Sequence, residues 1–275
     1  MFVEIIKTIL YGIVQGITEW LPISSTGHLL LLEKIMALNV SDTFWSTFLV
    51  VIQLGSILAV VVLFFHKLNP FSPKKTSDEK RDTLSLWGKV LIASIPAGVV
   101  GLLFDDLIDS YLHGALTIAI TLIVYGVLFI VQAHAQKKAR YKDFKSLTFR
   151  TAFFIGAFQM LSLIPGTSRS GATIFGAILL GCSRYVASEF SFFMAIPAMV
   201  GASGYKLLKA GFGFTGTEWT IMVVGFVVAF LVSIVAIKFL LGYIKKHDFR
   251  VFGYYRIILG IILIAAILFG WLGVR

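Results

Sequence analysis

Charge is scarce in this chain. Only 14% of its 275 residues are Asp, Glu, Lys or Arg, against about 25% in soluble globular domains. Apolar residues make up 58%, and the mean hydropathy is +0.91. Water cannot solvate such a surface, so membrane lipid is the expected solvent. Cysteine is nearly missing as well: Cys182 alone excludes an intrachain disulfide framework and a cysteine metal cluster. It reads as a small apolar packing residue. Neither a Walker A sequence nor His-Glu-x-x-His occurs, which removes P-loop nucleotide chemistry and zincin-type hydrolysis. The N-terminus lacks a basic n-region and a small-residue cleavage site, and it carries Glu4, Gln15 and Glu19. It therefore reads as mature protein rather than a signal peptide. The net charge of +10 comes without an aromatic-basic motif. It suits basic loops beside anionic headgroups, and no nucleic-acid partner is expected.

What is abundant is long apolar sequence. A spanning helix needs about 20 mostly apolar residues. Six stretches qualify, at 44–65, 87–104, 115–134, 186–209, 219–240 and 256–273. Two further apolar regions are interrupted. One runs over 2–21, breaks at Pro22-Ile23-Ser24-Ser25-Thr26-Gly27 and resumes to Leu38. The other runs over 149–164, breaks at Pro165-Gly166-Thr167-Ser168-Arg169-Ser170-Gly171 and resumes to Cys182. Proline removes a donor and clashes with the preceding turn, and glycine loosens the backbone. The reading is all-α: six transmembrane helices plus two re-entrant helix-break-helix hairpins. Irregular backbone at that depth is tolerated only inside protein or beside a water-filled cavity.

Charge orients the chain. Basic clusters fall in 66–89 (Lys67, Lys74, Lys75, Lys80, Arg81, Lys89), in 135–150 (Lys137, Lys138, Arg140, Lys142, Lys145, Arg150) and in 241–256 (Lys245, Lys246, Arg250, Arg256). These should be cytoplasmic. The connection 105–114 holds Asp105, Asp106 and Asp109 without Lys or Arg, and should lie outside. Counting crossings puts both termini outside. It also gives each half one broken hairpin and three spans. An odd number of crossings inverts the second copy, so the expected organisation is an inverted repeat, 1–135 and 148–275, forming one membrane domain. Gly12-Ile-Val-Gln15 recurs as Gly156-Ala-Phe-Gln159. Such repeats place a site at their interface near the midplane.

The breaks hold the polar residues. Gln15 and Glu19 share a helix face one turn before Pro22, and an ionisable group inside a membrane segment is a functional candidate. Ser24, Ser25, Thr26 and His28 follow. The serines can cap the second arm, or Ser25 can pair with His28, three residues on, as nucleophile and base. His28 can equally act as general acid. Arg169 needs an anionic partner at this depth, and its planar fork suits phosphate oxygens. Gly166, Ser168, Ser170, Gly171 and Thr173 can add N–H groups and hydroxyls at a helix N-terminus. A structural ion pair between Arg169 and Glu19 is the simpler alternative. Together the breaks suit phosphoryl chemistry on a diphosphate. A divalent cation (Mg2+ or Ca2+) bridging Glu19 and substrate would supply the remaining positive charge. Gln53, Gln159 and Glu189 are further polar positions in apolar stretches, open to catalysis or to interhelical hydrogen bonding. The Pro22–His28 segment superficially resembles an element of the type-2 phosphatidic acid phosphatases, but no suitably placed histidine follows Ser168-Arg169.

The motifs Gln15-Gly-Ile-Thr-Glu19, Leu21-Pro22-Ile-Ser24-Ser25-Thr26-Gly27-His28 and Pro165-Gly166-Thr167-Ser168-Arg169-Ser170-Gly171-Ala172-Thr173 resemble those of the undecaprenyl-diphosphate phosphatase, or bacitracin resistance protein, family. The similarity extends over nearly the whole chain, through Ile52-Gln53-Leu54-Gly55-Ser56 and Ser188-Glu189-Phe190-Ser191-Phe192. Where many members carry a first glutamate this chain has Gln15, which leaves Glu19 as the main acid. The resemblance implies an inverted-repeat fold in the bacterial inner membrane, with the site open to the outer face. It implies hydrolysis of a C55 isoprenyl diphosphate to the monophosphate carrier and inorganic phosphate, for peptidoglycan synthesis and bacitracin resistance. It also implies a divalent cation. Glu19, Ser25, His28 and Arg169 are the expected catalytic residues, with Glu19 as base or metal ligand and Ser25 or water as nucleophile. Gln15, Ser24, Thr26, Gly166, Ser168, Ser170, Gly171 and Thr173 are expected to bind substrate. A homodimer is left open. The competing reading is a secondary transporter or flippase for an isoprenoid lipid phosphate, since broken helices in inverted repeats are also transporter architecture.

Overall fold

The computed structural model describes residues 1–112, 114–135, 138–211 and 213–273, with the backbone alone described for 105–110. Lys137 and the side chains of Asp105, Asp106 and Asp109, used above for orientation, lie outside the described residues. Among the described residues the secondary structure is helical apart from an isolated bridge between Tyr141 and Cys182.

The first interrupted region forms α1 (Phe2–Thr18) and α2 (Ser25–Met36). Then come α3 (Asp42–Leu63), the single turn α4 (Phe65–Leu68), α5 (Ser77–Leu112) and α6 (Ala115–His134). The second region forms α7 (Phe149–Met160), a 3-10 turn and α8 (Arg169–Leu179). The chain continues through α9 (Arg184–Ala210), α10 (Gly216–Tyr243) and α11 (Arg250–Leu268). Helix starts are fixed locally by hydroxyl caps. Ser41 accepts from Phe44 N–H, Thr148 from Thr151 N–H and Ser183 from Val186 N–H. Thr215 and Glu218 form a reciprocal capping box on α10.

Six helices are long and apolar enough to cross a membrane: Asp42–Leu63, Ser77–Phe104, Ala115–His134, Arg184–Ala210, Gly216–Tyr243 and Arg250–Leu268. Apolar side chains such as Leu103, Val235, Phe239 and Ile258 are exposed on them, as lipid-facing surfaces require. The chain is a multi-pass membrane protein. Three boundaries differ from the sequence reading by six residues or more. Helix α5 begins ten residues before 87, because Thr76 and Glu79 cap a charged first turn. It also continues to Leu112, so 105–112 is helix rather than an open connection. Helix α11 begins at Arg250, six residues before the expected span. Arg256 is therefore not a loop charge but a wholly buried residue in the second turn of α11.

Helix α1 packs on α10, α7 on α5, α3 on both α9 and α10, and α6 on α11. Two of these approaches depend on the recurring glycine. A Cβ at Gly156 would lie 2.0 Å from the Ala93 carbonyl of α5, and one at Gly12 would lie 2.8 Å from Val228 of α10. Small residues let membrane helices approach this closely. Trp20, Phe190, Phe192 and Phe193 are wholly buried, and Trp20 meets Phe192 edge to face at 5.1 Å. This packing seats the start of the first break against α9.

Candidate active site

Both breaks use the same backbone device. Ser24 and Ser168 take φ of 72° and 71°, the only non-glycine residues with positive φ among the described residues. A non-glycine residue there costs on the order of 1–3 kcal/mol, and such strain concentrates at functional sites. Each serine stands just before its second arm. Ser168 caps α8 by accepting from Gly171 N–H at 3.1 Å. Ser24 makes no such cap, and its buried hydroxyl has no partner.

The breaks meet through side chains far apart in sequence. Arg169 Nη2 donates to Glu19 Oε1 at 3.1 Å, with the two side chains 10% and 5% exposed. Nη1 donates to the Ser191 carbonyl of α9 at 2.8 Å, and the guanidinium lies over the Trp20 ring at 5.8 Å. The other carboxylate oxygen of Glu19 accepts from Gln15 Nε2 at 3.0 Å and, more weakly, from Ser25 Oγ at 3.4 Å. Ser170 Oγ donates to the Glu19 carbonyl at 3.0 Å, and Thr173 Oγ1 donates to the Arg169 carbonyl at 2.8 Å. Ser170 and Thr173 are wholly buried, so their hydroxyls tie the backbones of the site together. Thr26 is exposed.

Ser25 and His28 do not hydrogen-bond to each other. His28 Nδ1 lies 2.7 Å from the Ser24 carbonyl and Nε2 lies 2.6 Å from Tyr255 Oη of α11. A carbonyl can only accept, so Nδ1 carries a proton and Nε2 of the neutral ring accepts the Tyr255 hydroxyl. The two rings stack with planes 6° apart. The partner of Ser25 is the Glu19 carboxylate, because the turn of α2 that holds His28 faces α11 instead.

The sequence reading missed Arg256, the neighbour of Tyr255. Its Nη1 donates to the Pro22 carbonyl at 3.2 Å, and its Nη2 to the Gly166 and Thr167 carbonyls at 2.9 and 3.0 Å. One guanidinium thus clasps both breaks. Gly166 is required where it stands: its φ is +86°, and a Cβ would lie 2.2 Å from Thr121 Oγ1 of α6. The signal available in the sequence was position. Arg256 is the first residue of the last apolar run, where helical phase, rather than composition, decides whether it reaches water or the interior.

Buried polar atoms without a partner gather here. Among the described residues they are Gln15 Oε1, Trp20 Nε1, Ser24 Oγ, Gln159 Oε1, Thr167 Oγ1, Arg169 Nε and Arg256 Nε. All belong to the two interrupted regions or to the arginine that joins them. An unpaired buried polar group costs about 1–3 kcal/mol, so these donors and acceptors are available to a polar ligand. Glu189 is elsewhere. It is buried and pairs with Lys67 Nζ at 2.5 Å.

No cluster of three or more His, Cys, Asp or Glu side chains occurs among the described residues. The donors around Glu19 still fit a hard cation: a carboxylate, the unpartnered Gln15 carbonyl oxygen and the Ser25 hydroxyl. Mg2+ in particular takes one or two carboxylates and completes its shell from water and substrate phosphate.

Fold and site define a polytopic α-helical membrane protein with an acid–guanidinium centre held between two broken hairpins. The model of the bacitracin resistance protein BacA family matches residues 8–262, and the chain belongs to that family. It is 63% identical over 262 residues to undecaprenyl-diphosphatase 1 of Clostridioides difficile (strain 630), covering 95% of this chain and 96% of that protein. It is 57% identical over 267 residues to an undecaprenyl-diphosphatase of Enterococcus faecalis, covering 96% and 97%. It is 58% identical over 263 residues to that of Acetivibrio thermocellus, covering 95% and 97%.

Proposed function

We propose that this chain hydrolyses undecaprenyl diphosphate to undecaprenyl phosphate and inorganic phosphate, recycling the lipid carrier and conferring bacitracin resistance. The observation that carries the reading is the contact between Glu19 and Arg169, 150 residues apart, inside a cluster of unpaired polar atoms. The names of relatives at 57–63% identity favour the phosphatase over a transporter.

Arg169 clamps the terminal phosphate, using the Nε that has no protein partner and trading part of its hold on Glu19. Its fixed position serves the charge that develops on the phosphoryl oxygens. Glu19 takes the proton from the attacking O–H. The geometry favours Ser25, whose hydroxyl already points at that carboxylate. Its oxygen bonds to the terminal phosphorus as the P–O–P bridge breaks, undecaprenyl phosphate departs, and water then releases phosphate from the serine. The length of the Ser25–Glu19 contact, 3.4 Å, leaves room for the second reading, direct attack by water. His28 is the proton carrier: with the ring oriented by Ser24 and Tyr255, Nε2 takes up a proton from solvent and passes it to the departing phosphate. Gln15, Ser24, Thr26, Gly166, Ser168, Ser170, Gly171 and Thr173 make or support the substrate pocket. A divalent cation held by Glu19 and Gln15 would neutralise diphosphate charge.

The inverted repeat, 1–135 with 148–275, belongs to the same proposal. Its support is the matched pairing of α1 with α10 and α7 with α5, the matched glycines and the matched serines. The basic connections favour both termini, and the mouth of the site, on the outer side of the bacterial inner membrane.

The test is phosphate release from undecaprenyl diphosphate by purified protein, with no gradient present. Arg169→Ala and Glu19→Ala should each reduce kcat/KM by about 10²–10³. Near-normal turnover by either folded variant rejects the assignment.

A further inference from the structure

A cavity of about 390 Å3 lies away from the Glu19–Arg169 centre, among α4, the start of α5, the segment 142–145 and the first turns of α9. Its size falls within the range of small-ligand sites, about 300–1,000 Å3. Four lysines line it, Lys67, Lys89, Lys142 and Lys145, with three acids, Asp82, Asp143 and Glu189.

The ionic pairing there is uneven. Lys67 is bound to Glu189 at 2.5 Å and Lys145 to Asp82 at 2.8 Å. Asp143 is occupied locally, its Oδ1 accepting from Ser146 N–H at 2.8 Å. Among the described residues, neither Lys89 nor Lys142 has a carboxylate at salt-bridge distance. Lys89 is the informative one. It is only 5% exposed, yet its ammonium has just the Phe144 carbonyl, at 2.7 Å, and the Phe149 ring, 5.6 Å from its centroid. A buried cation needs a counter-charge, and this one has two donors to spare.

A second cavity of about 240 Å3 is formed by the same part of the fold, lined by Val61, Phe65, Leu68, Asn69 and Trp87. It is almost entirely apolar. Leu68 follows Lys67 on α4, and Trp87 stands two residues before Lys89 on α5. A cationic cavity and an apolar one, both lined from α4 and α5 on the face with the basic connections, match a lipid with a phosphate headgroup. Basic pockets between membrane helices on the cytoplasmic side bind such headgroups.

We infer that this chain holds an anionic phospholipid at a second site, with the phosphate between Lys89 and Lys142 and an acyl chain along Phe65, Leu68 and Trp87. The site is separate from the hydrolytic centre and independent of its chemistry.

The test is lipid titration of the whole protein in neutral detergent, followed by native mass spectrometry. Phosphatidylglycerol and phosphatidylcholine with the same acyl chains are compared with inorganic phosphate. Phosphatidylglycerol should bind at least tenfold more tightly than phosphatidylcholine, and phosphate should not displace it. Each lysine near an anionic headgroup contributes about fivefold, so Lys89→Met and Lys142→Gln should each weaken binding about fivefold. Lys142 is exposed, so its variant carries the test even where Lys89→Met does not fold. Glu19→Gln should bind phosphatidylglycerol as the unaltered protein does. Equal affinity for the two lipids, unchanged affinity in Lys142→Gln, or displacement by phosphate would each overturn the inference. Loss of binding in Glu19→Gln would also overturn it, by placing the lipid in the hydrolytic site.

Discussion

Tyr255 and Arg256 are adjacent on one helix and serve two different parts of the site. The Tyr255 hydroxyl reaches His28, whose other nitrogen is fixed by a backbone carbonyl. Tyr255→Phe keeps the ring stacking and removes one hydrogen bond. We expect kcat to fall about tenfold with KM nearly unchanged, a fraction of the about 10²–10⁴ that a positioned acid or base supplies; steady-state kinetics on the two variants, Tyr255→Phe and His28→Ala, measure that fraction. Arg256→Lys preserves charge but not the fork. A single ammonium cannot reproduce three carbonyl contacts set by a planar guanidinium. Turnover should drop about 10²-fold, together with a lower midpoint in thermal unfolding in detergent. Ser25→Ala separates the two nucleophiles. A collapse of activity supports attack by the serine, whereas substantial residual release of phosphate assigns the attack to water.

At the level of helices, the closest approach at a glycine is between α7 and α5. Gly156→Leu forces a side chain into the Ala93 carbonyl. Overpacking costs about 1–3 kcal/mol, so the unfolding midpoint should fall, and the neighbouring break should lose activity with it. The six long helices were legible in the sequence because a bilayer demands length and apolarity, and both are visible in composition. The breaks were legible because Pro22 and Pro165, each followed by small polar residues, interrupt otherwise apolar runs. Glu19 and Arg169 stood out for the same reason: charge amid apolar sequence is conspicuous. What was not legible depends on rotation about a helix axis. His28 lies three residues after Ser25, yet it turns toward α11 while Ser25 turns toward Glu19. Glu189 looked equivalent to Gln159 as a polar residue in an apolar run, but it belongs to the Lys67 cavity. Arg256 looked like one more basic residue beside Arg250, although six residues of helix carry it from the surface to the interior.

For the molecule as a whole, the proposed sidedness rests on the basic connections. Cys182 is buried, only 3% exposed, so single cysteines introduced elsewhere report accessibility without removing it. A membrane-impermeant maleimide added to intact cells should label Thr215→Cys and spare Lys75→Cys and Lys246→Cys. The reverse pattern would turn the protein over. Chelation should suppress phosphate release, and Mg2+ should restore it, if the Glu19 and Gln15 oxygens share a cation with substrate. The clasp formed by Arg256 also bears on biosynthesis. The residue that locks the two reactive loops in register is carried by a helix that leaves the ribosome after both of them. A chain translated through both loops but short of α11 lacks that clasp, so the centre becomes ordered only once α11 has joined the other spans.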